Sequence, residues 1–356
     1  MTAKKTVFIM GAGASAHAGV PMIRGFLDKV RDMESNGSGA PFQADYTTIV
    51  DLIRSSLTAI PAARRVDLHN VEEVFSLIEM GRLIRRIPGV KEADLDELAA
   101  SMRIVLAHTV DTSSMFPCDR ENGVMAPHGY ERLADFIADR SRAPERRYSF
   151  ITFNYDLALD AAIVGANMQL DYGLESSITP ATVPILKLHG SINWRRENDD
   201  VKVLSVDALL QRAGNAIRYG VGRPLSLRAL NFPGVPARPD VALIPPSWNK
   251  TQDQGTFGNI WRHAGEELSS ADSIVIIGYS APRSDAFFSD LLALGLASAS
   301  KSLRRIVLVD TNPSAAARFT DEILGTDTTA IFTQLEMAFE RWADTFVQGP
   351  PPEWSV

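Results

Sequence analysis

The sequence predicts an α/β protein, a doubly wound parallel sheet interrupted by a mostly helical insertion, and three observations carry that expectation. Short apolar runs recur at 6–10, 149–153, 184–188, 241–244, 273–277, 305–309 and 329–332, several of them β-branched and bounded by turn residues. Strands covered on both faces lose polar alternation and read this way, and helical patterns at 286–297 and 314–324 supply crossovers between some of them. The first run passes directly into glycines and a helix start. Between 36 and 147 the apolar spacing becomes helical.

Thr6-Val7-Phe8-Ile9-Met10 leads into Gly11-Ala12-Gly13-Ala14-Ser15-Ala16, a G-x-G-x-x-A variant of the dinucleotide turn. Gly11 permits the tight turn and Gly13 a close backbone approach to a pyrophosphate, which the free N–H groups of the following helix would favour. The expected sheet is therefore Rossmann-like. The acidic residue usual about twenty positions on is not clearly placed, because Asp28, Asp32 and Glu34 all fall in a charged helical stretch. That weakens a dehydrogenase reading.

Residues 35–41 form a small-residue linker, after which 46–57, 71–87, 94–109 and 129–143 carry helical spacing. Val71, Val74, Phe75, Ile78 and Leu83 would share one face, with Asn70 as the helix cap. Residues 36–147 thus read as a helical module, 1–35 and 148–345 as the Rossmann-like domain, and 346–356 as an extended tail. The module would serve as a lid, a subunit contact or an appendage. His69, His108 and His128 lie within it without metal-ligand spacing and are expected as core or surface histidines.

Two later segments end strands in polar side chains: 149–156, closing on Asn154 and Asp156, and 188–191, carrying His189. Open α/β sheets bind ligands at the carboxyl ends of strands, so the pair marks a candidate site. His189 also fits a hydrogen-bonded loop histidine, and Trp194 either a core aromatic or a cleft wall. The stretch 198–240, rich in Gly, Arg and Pro, reads as a loop-rich excursion.

Composition narrows the function classes. With 36 basic and 43 acidic residues the net charge is −7, which gives no global attraction to nucleic acid or to an anionic membrane. Basic pairs such as Arg85-Arg86, Arg146-Arg147 and Arg195-Arg196 fit solvated faces. No apolar stretch reaches the length of a membrane span, the amino terminus runs straight into a core strand, and the lone Cys118 gives no disulfide framework. A cytoplasmic protein is expected.

Taken in order, the motifs resemble the sirtuin superfamily. Residues 11–24, from Gly11-Ala12-Gly13 to Gly19-Val20-Pro21-Met22-Ile23-Arg24, are similar to the sirtuin G-A-G-x-S-x-x-x-G-I-P-D-F-R loop. Thr152-Phe153-Asn154-Tyr155-Asp156 stands for T-Q-N-I-D, and Leu188-His189-Gly190 for L-H-G. Gly278-Tyr279-Ser280 resembles G-T-S, and Asp310-Thr311-Asn312 the strand end that holds adenosine. The chain departs from protein-deacylating sirtuins in lacking their four zinc cysteines, so no structural zinc is expected. Met22-Ile23 also replaces the D-F of P-D-F-R.

A closer resemblance is to the NAD-degrading, sirtuin-like proteins of prokaryotic anti-phage defence, which share F-N-Y-D, L-H-G-S-x-x-W and a helical insertion. Phe153-Asn154-Tyr155-Asp156, Leu188 to Trp194, and the phrases at 243–250 and 277–285 carry that likeness. It implies cleavage of the nicotinamide–ribose bond of NAD, giving nicotinamide and ADP-ribose. Asn154 would hold the ribose hydroxyls or the attacking water. His189, with an unperturbed pKa near ~6.5, would accept a proton.

The resemblance further places Gly11, Ala12, Gly13 and Ser15 at the pyrophosphate, Arg24 at the loop or ribose side, and Asp156 at the carboxamide. Gly278, Ser280, Asp310 and Asn312 would hold the adenosine end, although Ser280 and Asn312 also fit strand-end turns. Relatives imply restraint by homo-oligomerisation or by a HerA-type ATPase; no G-x-x-x-x-G-K-[ST] segment lies in this chain. Two other classes stay open. One is a non-catalytic NAD or ADP-ribose sensor, the other an ADP-ribosyl transferase or zinc-free deacylase.

Overall fold

The computed structural model describes residues 4–62, 66–119, 121–141, 146–198, 200–217, 223–244, 254–281, 286–298, 303–324 and 330–345. The 346–356 tail and most of the phrases at 243–250 and 277–285 beyond Ile244 and Ala281 lie outside them. β1 (Lys4–Met10) leads into a single helical turn, α1 (Ala12–Ser15). Four helices follow: α2 (Phe26–Ser35), α3 (Gln43–Asp51), α4 (Val71–Leu83) and α5 (Leu95–Ser113). A short hairpin of β2 (Cys118–Asp119) and β3 (Gly123–Val124) precedes α6 (His128–Arg140).

The second half continues with β4 (Arg146–Thr152), α7 (Ala158–Gly165), β5 (Leu170–Asp171) and β6 (Val183–Lys187). Next come β7 (Gly190–Glu197), β8 (Asp200–Val203), α8 (Val206–Ile217) and β9 (Val241–Leu243). The last elements are α9 (Gln254–Ser269), β10 (Ser273–Ile277), α10 (Ala286–Ala297), β11 (Arg305–Val309), α11 (Ala315–Arg318), β12 (Ile331–Leu335) and α12 (Phe339–Asp344).

Seven strands form one parallel sheet in the order β12-β11-β10-β1-β4-β6-β5, the expected doubly wound α/β fold. The chain leaves β1 toward β4 and later returns to β10 on its other side. Strand order therefore reverses at β1 and β10, and the crevice beyond their carboxyl ends is where such sheets take ligands. Helices cover both faces, so Val7 to Met10 and Ile274 to Ile277 are all buried.

The run at 241–244 departs from expectation. β9 pairs antiparallel with β7, and β7 with β8, in a separate three-stranded sheet. An apolar run specifies burial but not its pairing partner. Gly190 makes the pairing possible: its φ is +82°, and a Cβ there would stand 2.1 Å from the Ala242 carbonyl oxygen. The excursion at 198–240 accordingly contains β8 and α8 as well as loops. Trp194 is a core aromatic, stacked on Phe257 and edge-on to Tyr172.

Just before the 36–147 segment α2 packs on α3, and within that segment α3 and α4 pack on α5. The Asn70 side chain caps α4 by accepting the Glu72 N–H at 2.9 Å. Val71, Val74, Phe75 and Ile78 are buried, but Leu83 is 55% exposed. Five residues beyond Ile78 lies far round a helix of about 3.6 residues per turn, away from the buried stripe. α6 packs on α7 and α12. No helix among the described residues is long and apolar enough to cross a membrane.

The three histidines of this segment have ordinary surroundings. His69 is exposed, and the His128 Nε2 meets Asp344 Oδ1 at 2.6 Å on the surface. His108 is buried with its Nδ1 3.1 Å from the Tyr46 hydroxyl, and burial pushes its pKa down to about 4. A folded pKa below the unfolded one means that stability is full above the unfolded value and lost as pH falls toward the folded one. Acidification from pH ~6.5 to ~4 is expected to remove up to about 3 kcal/mol through this group. Urea denaturation across that window checks it, and His108→Gln should flatten the slope.

Candidate active site

Two glycine turns meet at the switch point. The Gly11 N–H donates to the Ile277 carbonyl at 3.0 Å and the Gly13 N–H to the Gly278 carbonyl at 2.9 Å. A Cβ on Gly11 would stand 2.7 Å from Gly278 O, one on Gly13 2.8 Å from Gly278 Cα, and one on Gly278 2.3 Å from Ala14 N. Close approach of two backbones thus explains glycine at all three positions. The Gly13 amide, expected at a pyrophosphate, is engaged by Gly278, while Ala12 opens the single turn α1.

Asn154 and His189 each lie two residues past the register pair Thr152–Lys187, at the tips of the adjacent strands β4 and β6. The Thr152 hydroxyl donates to Met10 O and accepts from the Asn154 N–H, both at 3.1 Å, which holds the tip of β4 against β1. Asn154 is buried, and its Nδ2 donates to Gly11 O at 2.9 Å and to Ser15 Oγ at 3.1 Å. Ser15 Oγ in turn shares a hydrogen with the Tyr130 hydroxyl at 2.7 Å.

Asp156 is buried. Its Oδ1 accepts from the Ala158 N–H at 3.0 Å, and its Oδ2 has no hydrogen-bond partner among the described residues. Burial raises its pKa, against the opposing pull of Lys187. The Lys187 ammonium lies beneath, donating to the Asp156 carbonyl at 2.6 Å and to Asp160 Oδ2 at 2.9 Å. Tyr172 completes this buried set by donating to Asp160 Oδ1 at 2.6 Å.

The His189 ring lies edge-on to Phe153, centroids 5.2 Å apart, and 6.1 Å from the Tyr155 ring. Phe153 stacks in turn on Tyr279, from the β10 turn, at 4.3 Å. The His189 carbonyl accepts the Ile244 N–H and the Tyr155 hydroxyl donates to the Ile244 carbonyl, so the small sheet props the histidine. The Asn154 side chain turns toward the glycine loop, whereas His189 sits in this aromatic flank.

Gly11, Gly13, Ser15, Gly278 and Asn154 are joined directly, with Asp156 just after them in the chain. The outer residues are placed differently. Arg24 is exposed and its backbone bridges Asn70 at the insertion. Ser280 is exposed just past β10. Asp310 Oδ1 accepts the Asn312 N–H at 2.8 Å and Asn312 Oδ1 the Ser314 N–H at 3.0 Å, so both side chains shape the turn after β11.

Tyr130, Lys187 with its partner Asp160, and His17 also belong to this region, and the motifs give them no role. Tyr130 gives no signal, being one more apolar position of an amphipathic helix. Lys187, in the middle of an apolar run, does signal a buried anion, which is Asp160. His17 lies inside the glycine segment; its ring stacks near Tyr130 at 5.8 Å, and both ring nitrogens are buried without a hydrogen-bond partner among the described residues. Burial pushes its pKa down, opposed by Glu340, the Ala14 backbone and Asp156, so the imidazole is held toward its neutral form.

The fold and this rim define the class: an α/β, Rossmann-like protein with its polar groups gathered at the switch point of the sheet. Among solved structures the chain is similar to Sir2 proteins. One is a Sir2 homologue mutant in complex with 2'-O-acetyl-ADP-ribose, at 14% identity over 99% of this chain and 94% of that one, with a TM-score of 0.44. Another is a Sir2 homologue mutant with ADP-ribose, at 14% identity over 97% and 91%, TM-score 0.40. A third is Sir2 with a p53 peptide and NAD+, at 12% identity over 96% and 92%, TM-score 0.37. No protein-family model and no curated protein matches the chain.

Proposed function

We propose that the protein is an NAD glycohydrolase that cleaves the nicotinamide–ribose bond, with NAD depletion in anti-phage defence as its role. The observation that supports the reading is the placement of a buried amide and an imidazole each two residues past one register pair of neighbouring strands, with the amide turned onto the first of two glycine turns at the switch point. As the bond from ribose C1' to the pyridinium nitrogen breaks, its electron pair neutralises the departing nicotinamide. The ribose acquires oxocarbenium character and water attacks C1'. Asn154 orients the water or a ribose hydroxyl, and His189 takes the proton released. Gly11, Ala12, Gly13 and Ser15 face the pyrophosphate, Arg24 the loop or ribose side, and Asp156 the carboxamide. Gly278, Ser280, Asp310 and Asn312 face the adenosine end.

Purified protein is expected to convert NAD to nicotinamide and ADP-ribose, followed by chromatography, and His189→Ala to stop it. Intact NAD with wild-type protein, alone and with an added HerA-type ATPase, refutes the reading. Labelled protein acceptor or consumed acyl-lysine would instead mark a transferase or deacylase. Because unrestrained loss of NAD harms the host, restraint by homo-oligomerisation or by that ATPase belongs to the same proposal.

A further inference from the structure

We propose that Tyr130, on α6, is a positioning residue that sets the Asn154 amide through the Ser15 hydroxyl. Both hydrogens of the Asn154 amide are committed, one to Gly11 O at 2.9 Å and one to Ser15 Oγ at 3.1 Å. Gly11 O can only accept, so the amide cannot be turned end for end without setting oxygen against oxygen. Oδ1 is thereby left as the atom that accepts from a ligand. The polarity of the site follows from which way this one amide faces.

One of the two anchors is soft. A serine hydroxyl rotates about its C–O bond and is both donor and acceptor, so alone it does not hold an amide in one orientation. The Tyr130 hydroxyl, 2.7 Å away, fixes that rotor, and it arrives from 115 positions further along the chain. Tyr130 is itself immobilised: it is 1% exposed, edge-on to Phe339 at 5.0 Å and stacked near His17 at 5.8 Å. Burial pushes the phenol well above its ordinary pKa, with the nearby Asp156 adding to the effect, so the hydroxyl keeps its proton. A dry, protonated, ring-clamped hydroxyl meets the needs of an orienting group.

The test is Tyr130→Phe, which keeps the ring packing and removes only the oxygen, together with Ser15→Ala and the double variant. In full-length protein without ligand, the Asn154 side-chain amide resonances, identified by their loss in Asn154→Ala, should shift and exchange faster with water in Tyr130→Phe. Unchanged resonances overturn the proposal. The rate measurement rests on the NAD-cleavage reading: kcat should fall about tenfold with KM nearly unchanged, as for an interaction felt in the transition state. The double variant should be slower than Ser15→Ala by far less than the product of the single losses, since Tyr130 acts chiefly through Ser15 while also lying beside Asn154. Multiplying losses, or a change confined to KM, overturn the proposal. If the wild type leaves NAD intact the cleavage reading fails, while the resonances still decide the role of Tyr130.

Discussion

Asn154→Ala is expected to lower kcat/KM for NAD by about a hundredfold to a thousandfold, the range seen when one preorganised polar group is removed from a reaction centre. The fold should survive. Gly11 O keeps the Ala14 N–H at 3.0 Å, and β1 and β4 remain paired along their length. Two hydrogen bonds are lost, so stability should fall by about 1–3 kcal/mol, read from urea denaturation. Asn154→Asp is the more telling variant. A carboxylate there places an acceptor against Gly11 O and cannot donate, so it should be both inactive and less stable than the alanine variant. Turnover at the wild-type rate in both variants would remove Asn154 from the chemistry.

Lys187→Met should cost about 3–5 kcal/mol, the usual penalty for stripping one partner from a buried ion pair. Lys187 and Asp160 are each 1% exposed, and without the ammonium the Asp160 carboxylate keeps, among the described residues, the hydroxyl of Tyr172. The double change Lys187→Met with Asp160→Leu should recover much of that loss, because neither charge is then buried alone. Activity should not recover with it. The same ammonium holds the Asp156 carbonyl at 2.6 Å, and nothing in the double variant replaces that tether. Denaturation and NAD turnover measured on one set of variants would separate the two roles, and a double variant as fragile as the single one would contradict the account.

The central sheet was readable because its strands are continuous apolar runs and its first turn spells out glycines at the required spacing. Asn154 and His189 were readable for a related reason: they are polar residues where two such runs stop. What the runs do not encode is partnership. Residues 241–243 look like any other buried strand, yet they pair antiparallel with β7, a geometry that depends on Gly190 and on chain far away. Motif order implies ligand roles for Arg24 and Asn312, while the turn-forming reading of Asn312 matches its bond to the Ser314 N–H, and the Arg24 backbone bridges Asn70. Tyr130 was invisible because the partner that gives its hydroxyl a purpose is set by how α6 packs, not by the text around it.

The contact of Phe339 with Tyr130, near Gly129, carries a consequence for assembly. Phe339 of α12 packs on the Tyr130 ring, so the polar cluster around Gly11, Ser15 and Asn154 is backed by a residue far along the chain from the glycine segment. Contacts between groups this far apart in sequence require the intervening chain to be closed into a loop first, so the polar cluster and α12 are expected to order together in a late step of refolding.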